Sequence, residues 1–464
     1  MLNYVLERGC GVNNDATNIV TSAETLHYGR KKIILDYDKV GSANVVEVLQ
    51  EALKIHTCNE QDCSYLINYF LGKQDILNRS EPLTSNINNK VVSNYAFPIT
   101  REIVGYTYGN PIEFIQNDIG KQDDVETLSD IFADAGSYNA DIITAYYQSI
   151  CGVGYQITLP SSEISEDYIP DVPIVIEALD PRDTFVVCNL KVGNPQIMSC
   201  HRTYSNEKGY TYNVYTREKI FEINDKFEVK SITNNALEKD PIVIFENSIF
   251  MTGDWEQAIS VMNASNTIAS DSLNDIEGTI RSLLVLLGAE FEDDETGLSQ
   301  IKKNRLLTLA NPQGGSVDAK FISPQIESAS IENIREYLED ARNVITGIPD
   351  RQTASGGDTG TAVLNRNGWT DIEIVAKLKE LFFKKSKKKQ LGIGIKVLQK
   401  LGIVSQDLTP LNINMTIGRH TTDNLQTKTQ AFSTLVATGE LATIDCLDFS
   451  GLTNRTNEVV ARGE

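Results

Sequence analysis

Residues 253–288 read GDWEQAISVMNASNTIASDSLNDIEGTIRSLLVLLG. Trp255, Ile259, Met262, Ala269, Leu273, Ile276, Ile280 and Leu283 recur at alternating three- and four-residue steps, with Asn266 filling the gap. That period marks the apolar stripe of a long helix. Asp254 and Gln257 have the spacing of a capping box. A helix over the whole stretch would extend roughly 50 Å. No equally long heptad occurs elsewhere in the chain, so packing inside an assembly is the more economical expectation than a coiled coil.

Downstream, residues 289–327 interrupt the helical pattern with an acidic segment, a basic KKNR (302–305) and a hairpin signal at Gln313-Gly314-Gly315. A second helix is expected over SIENIREYLEDARNVITG (330–347). Ser330 can cap it, Ile331, Ile334, Leu338, Ala341 and Ile345 line one face, and Gly347 and Pro349 end it. Its other face carries Glu332, Glu336, Glu339 and Asp340, which alone read as a solvated face. Then comes GIPDRQTASGGDTGTAVL (347–364). It lacks the lysine of a phosphate-binding P-loop, and no strand precedes it. A third helix is expected from about Thr361 to Leu401, with Ile372, Val375, Leu378 and Phe382 inward. Lys384, Lys385, Lys387, Lys388 and Lys389 form a basic cluster on it, and Gly392 and Gly394 should weaken its far half. The last sixty residues read as a few short helices.

Upstream, Asn44 to Phe70 reads as helix with a break near Asn59. Val91, Tyr95, Ile99, Ile103 and Tyr106 fit one helix face that Pro98 should kink or interrupt. Residues 124–151 read as one or two helices. From 155 to 250, short runs such as YQITL, PIVIEAL, TFVVC and KIFEI alternate with turn residues, the pattern of a mostly antiparallel β-rich insert. The fold class expected is therefore α+β, mainly α.

The 464 residues carry a net charge of -21 and are 41% hydrophobic, a globular and strongly acidic composition. Such a surface repels nucleic acid over most of its area, although it suits a protein that lets DNA pass without sticking. Seven scattered cysteines argue for free thiols in a reducing compartment. Cys58 and Cys63 beside His56 lack a fourth metal ligand, so neither metal nor cofactor is expected. The N-terminus has no signal-peptide pattern, and Leu283–Leu287 is too short to span a bilayer. No nucleophile elbow, zincin motif or Walker pair occurs, and the four histidines are scattered. No catalytic residue is assigned. An acidic enzyme and a non-viral oligomeric scaffold stay open on composition alone.

Five blocks, in order, carry a resemblance: YLINYFLGKQDILNR (65–79), NNKVVSNYAFPITREIVGYTYGNPIEF (88–114), DSLNDIEGTIRSLLVLLG (271–288), ITGIPDRQTASGGDTGTAVLNR (345–366) and KLKELFFKKSKKK (377–389). Over about residues 40–400 the sequence resembles the portal proteins of tailed double-stranded-DNA bacteriophages of the long-tailed type. It departs from them at Pro98 and at Thr361-Ala362-Val363, and the C-terminal region matches only loosely.

The resemblance implies a virion protein of the capsid portal vertex, assembled in the host cytoplasm as a ring of typically twelve copies, through which double-stranded DNA is packaged and ejected. Residues 1–252 would be the wing, 253–280 and 329–347 the two stem helices, and 281–328 the clip. Residues 348–362 would form the tunnel loop, 363–405 a long wing helix and 406–464 the crown. The clip, with Glu292, Asp293, Asp294, Lys302, Lys303 and Arg305, would dock the large terminase subunit and later the head-completion or tail adaptor protein. Major capsid and scaffolding proteins would be further partners, and a membrane would not. Glu332, Glu336, Glu339 and Asp340 would line the channel. The loop, with Asp350, Arg351, Gly356, Gly357, Asp358 and Gly360, would project toward the axis and adapt to moving DNA, glycine making such changes cheap. Lys384, Lys385, Lys387, Lys388 and Lys389 would meet DNA phosphates or acidic neighbours.

Overall fold

A computed structural model describes residues 20, 22–80, 87–116, 122–161, 172–206, 209–280, 283–287, 318–322, 328–349, 369–418, 425–439 and 443–450. The chain divides into two compact units. One comprises residues up to Lys73, Asn94–Ile259 and Asn343 onward; the other comprises Gln74–Ser93 and Ser260–Arg342.

The larger unit opens with strand β1 (Ile33–Leu35) and helix α1 (Val45–Phe70). Val45, Val48, Leu49, Ala52 and His56 recur along one face of α1 and are buried. No break occurs at Asn59, contrary to the sequence expectation. The Asn59 side chain bonds both the backbone N–H and the carbonyl of Lys31, each at 2.9 Å, so tertiary pairing overrides its poor helix propensity. Helix α2 (Ala96–Tyr108) begins only at Ala96. Pro98 therefore falls in the first turn, where its missing N–H costs no helical bond, and it neither kinks nor interrupts the helix. Val91 and Tyr95 precede the helix and are not part of its face.

Strand β2 (Ile112–Gln116), helices α3 (Gln122–Asp134) and α4 (Ser137–Cys151), and strands β3 (Val153–Pro160), β4 (Ile174–Leu179), β5 (Thr184–Asn189), β6 (Gln196–Ser205), β7 (Gly209–Tyr215), β8 (Lys219–Asn224), β9 (Val229–Asn234) and β10 (Ile242–Glu246) follow. The β-rich insert is as expected. Its strands form a six-stranded sheet in the order β1-β5-β6-β7-β8-β9 and a three-stranded sheet in the order β10-β3-β4. Only β1 against β5 is a parallel pair in these two sheets. Helix α1 covers the larger sheet, joining Val48 and Leu49 to Phe185, Met198, Val214 and Phe221 in one core.

Helix α5 (Ile259–Ile280), strands β11 (Leu283–Leu287) and β12 (Asp318–Ile322), and helix α6 (Ser328–Thr346) come next. The 253–288 stretch is thus helix and then strand. Helix α7 (Trp369–Lys400) runs unbroken through Gly392 and Gly394, which do not weaken it as expected but serve packing. A Cβ on Gly394 would stand 2.6 Å from the Phe132 ring, and Lys239 reaches the Gly392 carbonyl at 2.6 Å. Strand β13 (Ile413–Ile417) and helices α8 (Leu425–Thr438) and α9 (Thr443–Ser450) follow. β13 pairs antiparallel with β2, and Ile413, Met415 and Ile417 join the core that holds Phe132 and Phe383. Among the described residues no helix is long and apolar enough to cross a membrane.

One buried histidine and one half-buried aspartate give opposed pH responses in the larger unit. His56 donates its Nε2–H to the Arg182 carbonyl at 2.9 Å and lies against Phe185. Burial pushes it down to about 4, so folding favours its neutral form. Its stabilisation is full above pH 6.5 and is lost as pH falls toward 4. Asp240 accepts from Ser199 and the Ile242 N–H, and burial pushes it up to about 6. Its charged form costs stability at neutral pH, and that cost is relieved as pH falls below 6. The two effects oppose each other between pH 7 and pH 5. In Asp240→Asn the compensation is gone, and unfolding in urea should show about 2 kcal/mol lost between pH 7 and pH 5. An Asp240→Asn protein as acid-tolerant as the wild type would contradict this assignment.

Candidate functional site

In chain order helix α5 is followed by strands β11 and β12, which pair antiparallel, and then by helix α6. Leu283 pairs with Ile322 and Leu287 with Asp318. The segment between the strands, with Glu292, Asp293, Asp294, Lys302, Lys303 and Arg305, lies outside the described residues. So does the loop with Asp350, Arg351, Gly356, Gly357, Asp358 and Gly360.

The start of the outgoing helix is anchored inside the larger unit by three consecutive residues. Asp254 accepts from Asn247 at 2.8 Å and pairs with Lys379 at 2.5 Å. It is therefore not the helix cap that its spacing with Gln257 suggested; the first turn is a short 3-10 segment, Glu256–Ala258, without a side-chain cap. Trp255 stacks on Tyr69 with ring centroids 5.5 Å apart and donates its indole N–H to Thr100 at 2.9 Å. Glu256 accepts from Arg30 at 2.6 Å and from the backbone N–H groups of Gly29 and Gly253 at 2.7 Å each. Burial pushes the Glu256 carboxyl up, and the Arg30 charge and these two N–H groups oppose it. Three good partners make a buried carboxylate tolerable.

Within the smaller unit, α5 carries a polar column that sequence reasoning missed. The N–H groups of Ser93, Val91 and Asn89 donate to Asn266 at 2.7 Å, Ser270 at 2.9 Å and Asn274 at 2.7 Å. The Asn89 amide also reaches Glu277 at 2.9 Å. Four helical residues rise about 6 Å and two extended residues about 6.6 Å, so alternate backbone N–H groups of the strap match every fourth residue of the helix. Asn263 with Asp75, Asn266 with Gln74 and Arg79 with Asp271 extend the clamp. Asn266, which fills the gap in the heptad stripe, is its centre and is fully buried. Leu273 and Ile276, expected on the packed stripe, are exposed in the single chain. The available sequence signal was the asparagine-rich start of 88–114.

On α6, Glu332, Glu336 and Asp340 are exposed and Glu339 is half-buried. Arg335 pairs with Glu332 at 3.3 Å and Arg342 with Glu339 at 3.1 Å. Ile334, Tyr337, Val344 and Ile345 are exposed too, so much of this helix lacks cover from its own chain. On α7 the lysine run divides. Lys385, Lys388 and Lys389 are exposed, and Lys384 pairs with Glu380. Lys387 is fully buried and bonds Asp141 and Ser137 at 2.7 Å each. It cannot meet a DNA phosphate, which corrects the reading of the run as one basic cluster. No group of His, Cys, Asp and Glu among the described residues is arranged to hold a metal ion.

Residues 51–443 match the family described as phage portal protein, SPP1 Gp6-like. The chain belongs to that family. Portal proteins are structural proteins, so this chain is a head–tail connector subunit of a homo-oligomeric ring and not an enzyme. Its place is the portal vertex of the virion. The solved structure described as the neck of an empty GTA particle computed with C6 symmetry is similar at 13% identity, covering 84% of this chain and 94% of that one, with a TM-score of 0.46. The neck of a native GTA particle computed with C12 symmetry is similar at 12% identity over 77% and 89% of the two chains, with a TM-score of 0.43. Comparison with curated protein sequences yields no match.

Proposed function

We propose that the portal ring is built from about twelve copies and conducts double-stranded DNA through a channel bordered by the returning helix α6. Residues 1–252 serve as wing, 253–280 and 329–347 as stem, 281–328 as clip, 348–362 as tunnel loop, 363–405 as the long wing helix and 406–464 as crown. The observation that carries this reading is the helix–strand–strand–helix excursion whose returning helix exposes Glu332, Glu336 and Asp340. Twelve copies bring about -250 formal charges at -21 each, which keeps a sliding polyanion from adhering. The glycine-rich loop is a pliable channel element and not a phosphate trap. Assembly takes place in the host cytoplasm with major capsid and scaffolding proteins.

The clip docks the large terminase subunit during packaging and the head-completion adaptor afterwards. Glu292, Asp293 and Asp294 beside Lys302, Lys303 and Arg305 suit charge-steered, reversible exchange of partners. Changing Lys302→Glu and Lys303→Glu should weaken terminase binding about tenfold at low salt and less at high salt, where screening shortens the reach of both charges. Surface plasmon resonance at two ionic strengths checks this. Unchanged binding at both would place the docking surface elsewhere.

A further inference from the structure

Helix α7 has two faces of opposite character. Phe383, Lys387, Gln390 and Gly394 point into the larger unit. On the other side Ile374, Leu378, Leu381, Lys385 and Lys388 follow one another at steps of four, three, four and three, a single stripe about 21 Å long. Ile374 is 53%, Leu378 56% and Leu381 67% exposed, and both lysines are exposed. Three bare aliphatic side chains in a row do nothing for a phosphate backbone, but they suit a protein surface that becomes covered.

Helix α3 is the counterpart. It carries five carboxylates and no cation. Val125, Leu128 and Phe132 are buried, whereas Asp123, Glu126 and Asp130 stand exposed on the opposite side. Asp124 is already engaged, accepting from the Ser405 N–H at 3.3 Å. Immediately after this acidic stripe, Tyr138 and Ile143 add exposed apolar surface on α4. The inner faces of α3 and α7 meet each other: the Phe132 ring would touch a Cβ on Gly394, and Lys387 Nζ lies 5.9 Å from the centre of that ring. The outer stripes of the two helices lie on the faces turned away from this contact.

A closed ring of identical copies needs two different, mutually complementary patches on opposite sides of each copy. We propose that the exposed α7 stripe of one copy docks on the acidic α3 face of the next. Lys385 and Lys388 meet Glu126 and Asp130, and the Ile374–Leu381 end is desolvated beside them. This assignment rests on the ring reading above, and the copy that fills the surface is a second copy of this chain.

A charge swap tests it. Lys385→Glu with Lys388→Glu should raise the concentration at which rings half-assemble at least about tenfold, as should Glu126→Lys with Asp130→Lys. All four changes together should bring it back within about twofold of wild type. Native mass spectrometry reads assembly, and thermal melting of each variant confirms that it folds. A second measurement avoids charge reversal. In rings of Lys388→Cys with Asp130→Cys, a short bismaleimide should give a covalent ladder of oligomers that neither single variant gives.

Normal rings in both reversed pairs, a folded fourfold variant that stays disassembled, or no ladder in intact rings would each overturn the proposal. Salt-sensitive DNA binding lost with Lys385 and Lys388 while rings persist would overturn it in favour of a nucleic-acid surface. A wild-type chain that never forms rings would instead overturn the ring reading on which it rests.

Discussion

Asp141→Ala is expected to destabilise the fold by about 3–5 kcal/mol, the cost of leaving a buried charge without its partner. Lys387 is fully buried, and burial pushes its ammonium down while Asp141 opposes that shift. The pair belongs to a connected set. Gln156 donates to Asp141 at 2.8 Å and to Thr144 at 3.0 Å, and Gln390 donates to Gln156 at 2.6 Å. The set ties α7 to α4 and β3 beneath the exposed α7 stripe. Replacing both charges, Asp141→Leu with Lys387→Met, should recover most of the loss, because an apolar pair of similar volume needs no hydrogen bonds. Urea unfolding of the two variants measures this. A single variant within about 1 kcal/mol of wild type, below the 3–5 kcal/mol expected for a broken buried pair, would mean that water reaches Lys387.

The second large effect concerns α6. Changing Glu332, Glu336 and Asp340 together to lysine should leave rings intact, since all three are exposed in the single chain and none belongs to a core. Packaged DNA should fall by on the order of tenfold or more, because three new cations per copy, repeated around a channel, hold a polyanion that must slide. Packaging assays with purified terminase, supplemented with salt, give the readout. The defect should ease as ionic strength rises, because screening weakens each contact. Normal packaging by the lysine variant would remove these carboxylates from the channel, and lost rings would place them at a contact between copies.

The strong periodic elements were legible from sequence. The helix after Trp255, the helix around Ile331–Ile345 and the β-rich insert follow from local patterning, which needs only near neighbours, whereas the strand Leu283–Leu287 continues the helical stripe in sequence and was not separable from it by period. What was hidden depends on partners far along the chain. Lys387 sits in KKSKKK and reads as solvated, but its carboxylate lies 246 residues away on α4. Asn266 reads as a flaw in an apolar stripe, yet it accepts the backbone N–H of Ser93, 173 residues earlier. Gly394 and Asn59 look like helix weaknesses for the same reason: a close ring in one case and the Lys31 backbone in the other decide them. Candidate site residues on α6 were legible as an acidic helix face, since exposure there needs no partner. The direction in which they look was not, because that is a property of the assembly.

The central claim is that this chain closes into a conducting ring. Negative-stain images of the purified chain, averaged by class, test it most directly. Closed rings of about twelve subunits, with a central hole wide enough for duplex DNA, are expected. A stable monomer at micromolar concentration, unchanged by salt or crowding, would contradict it.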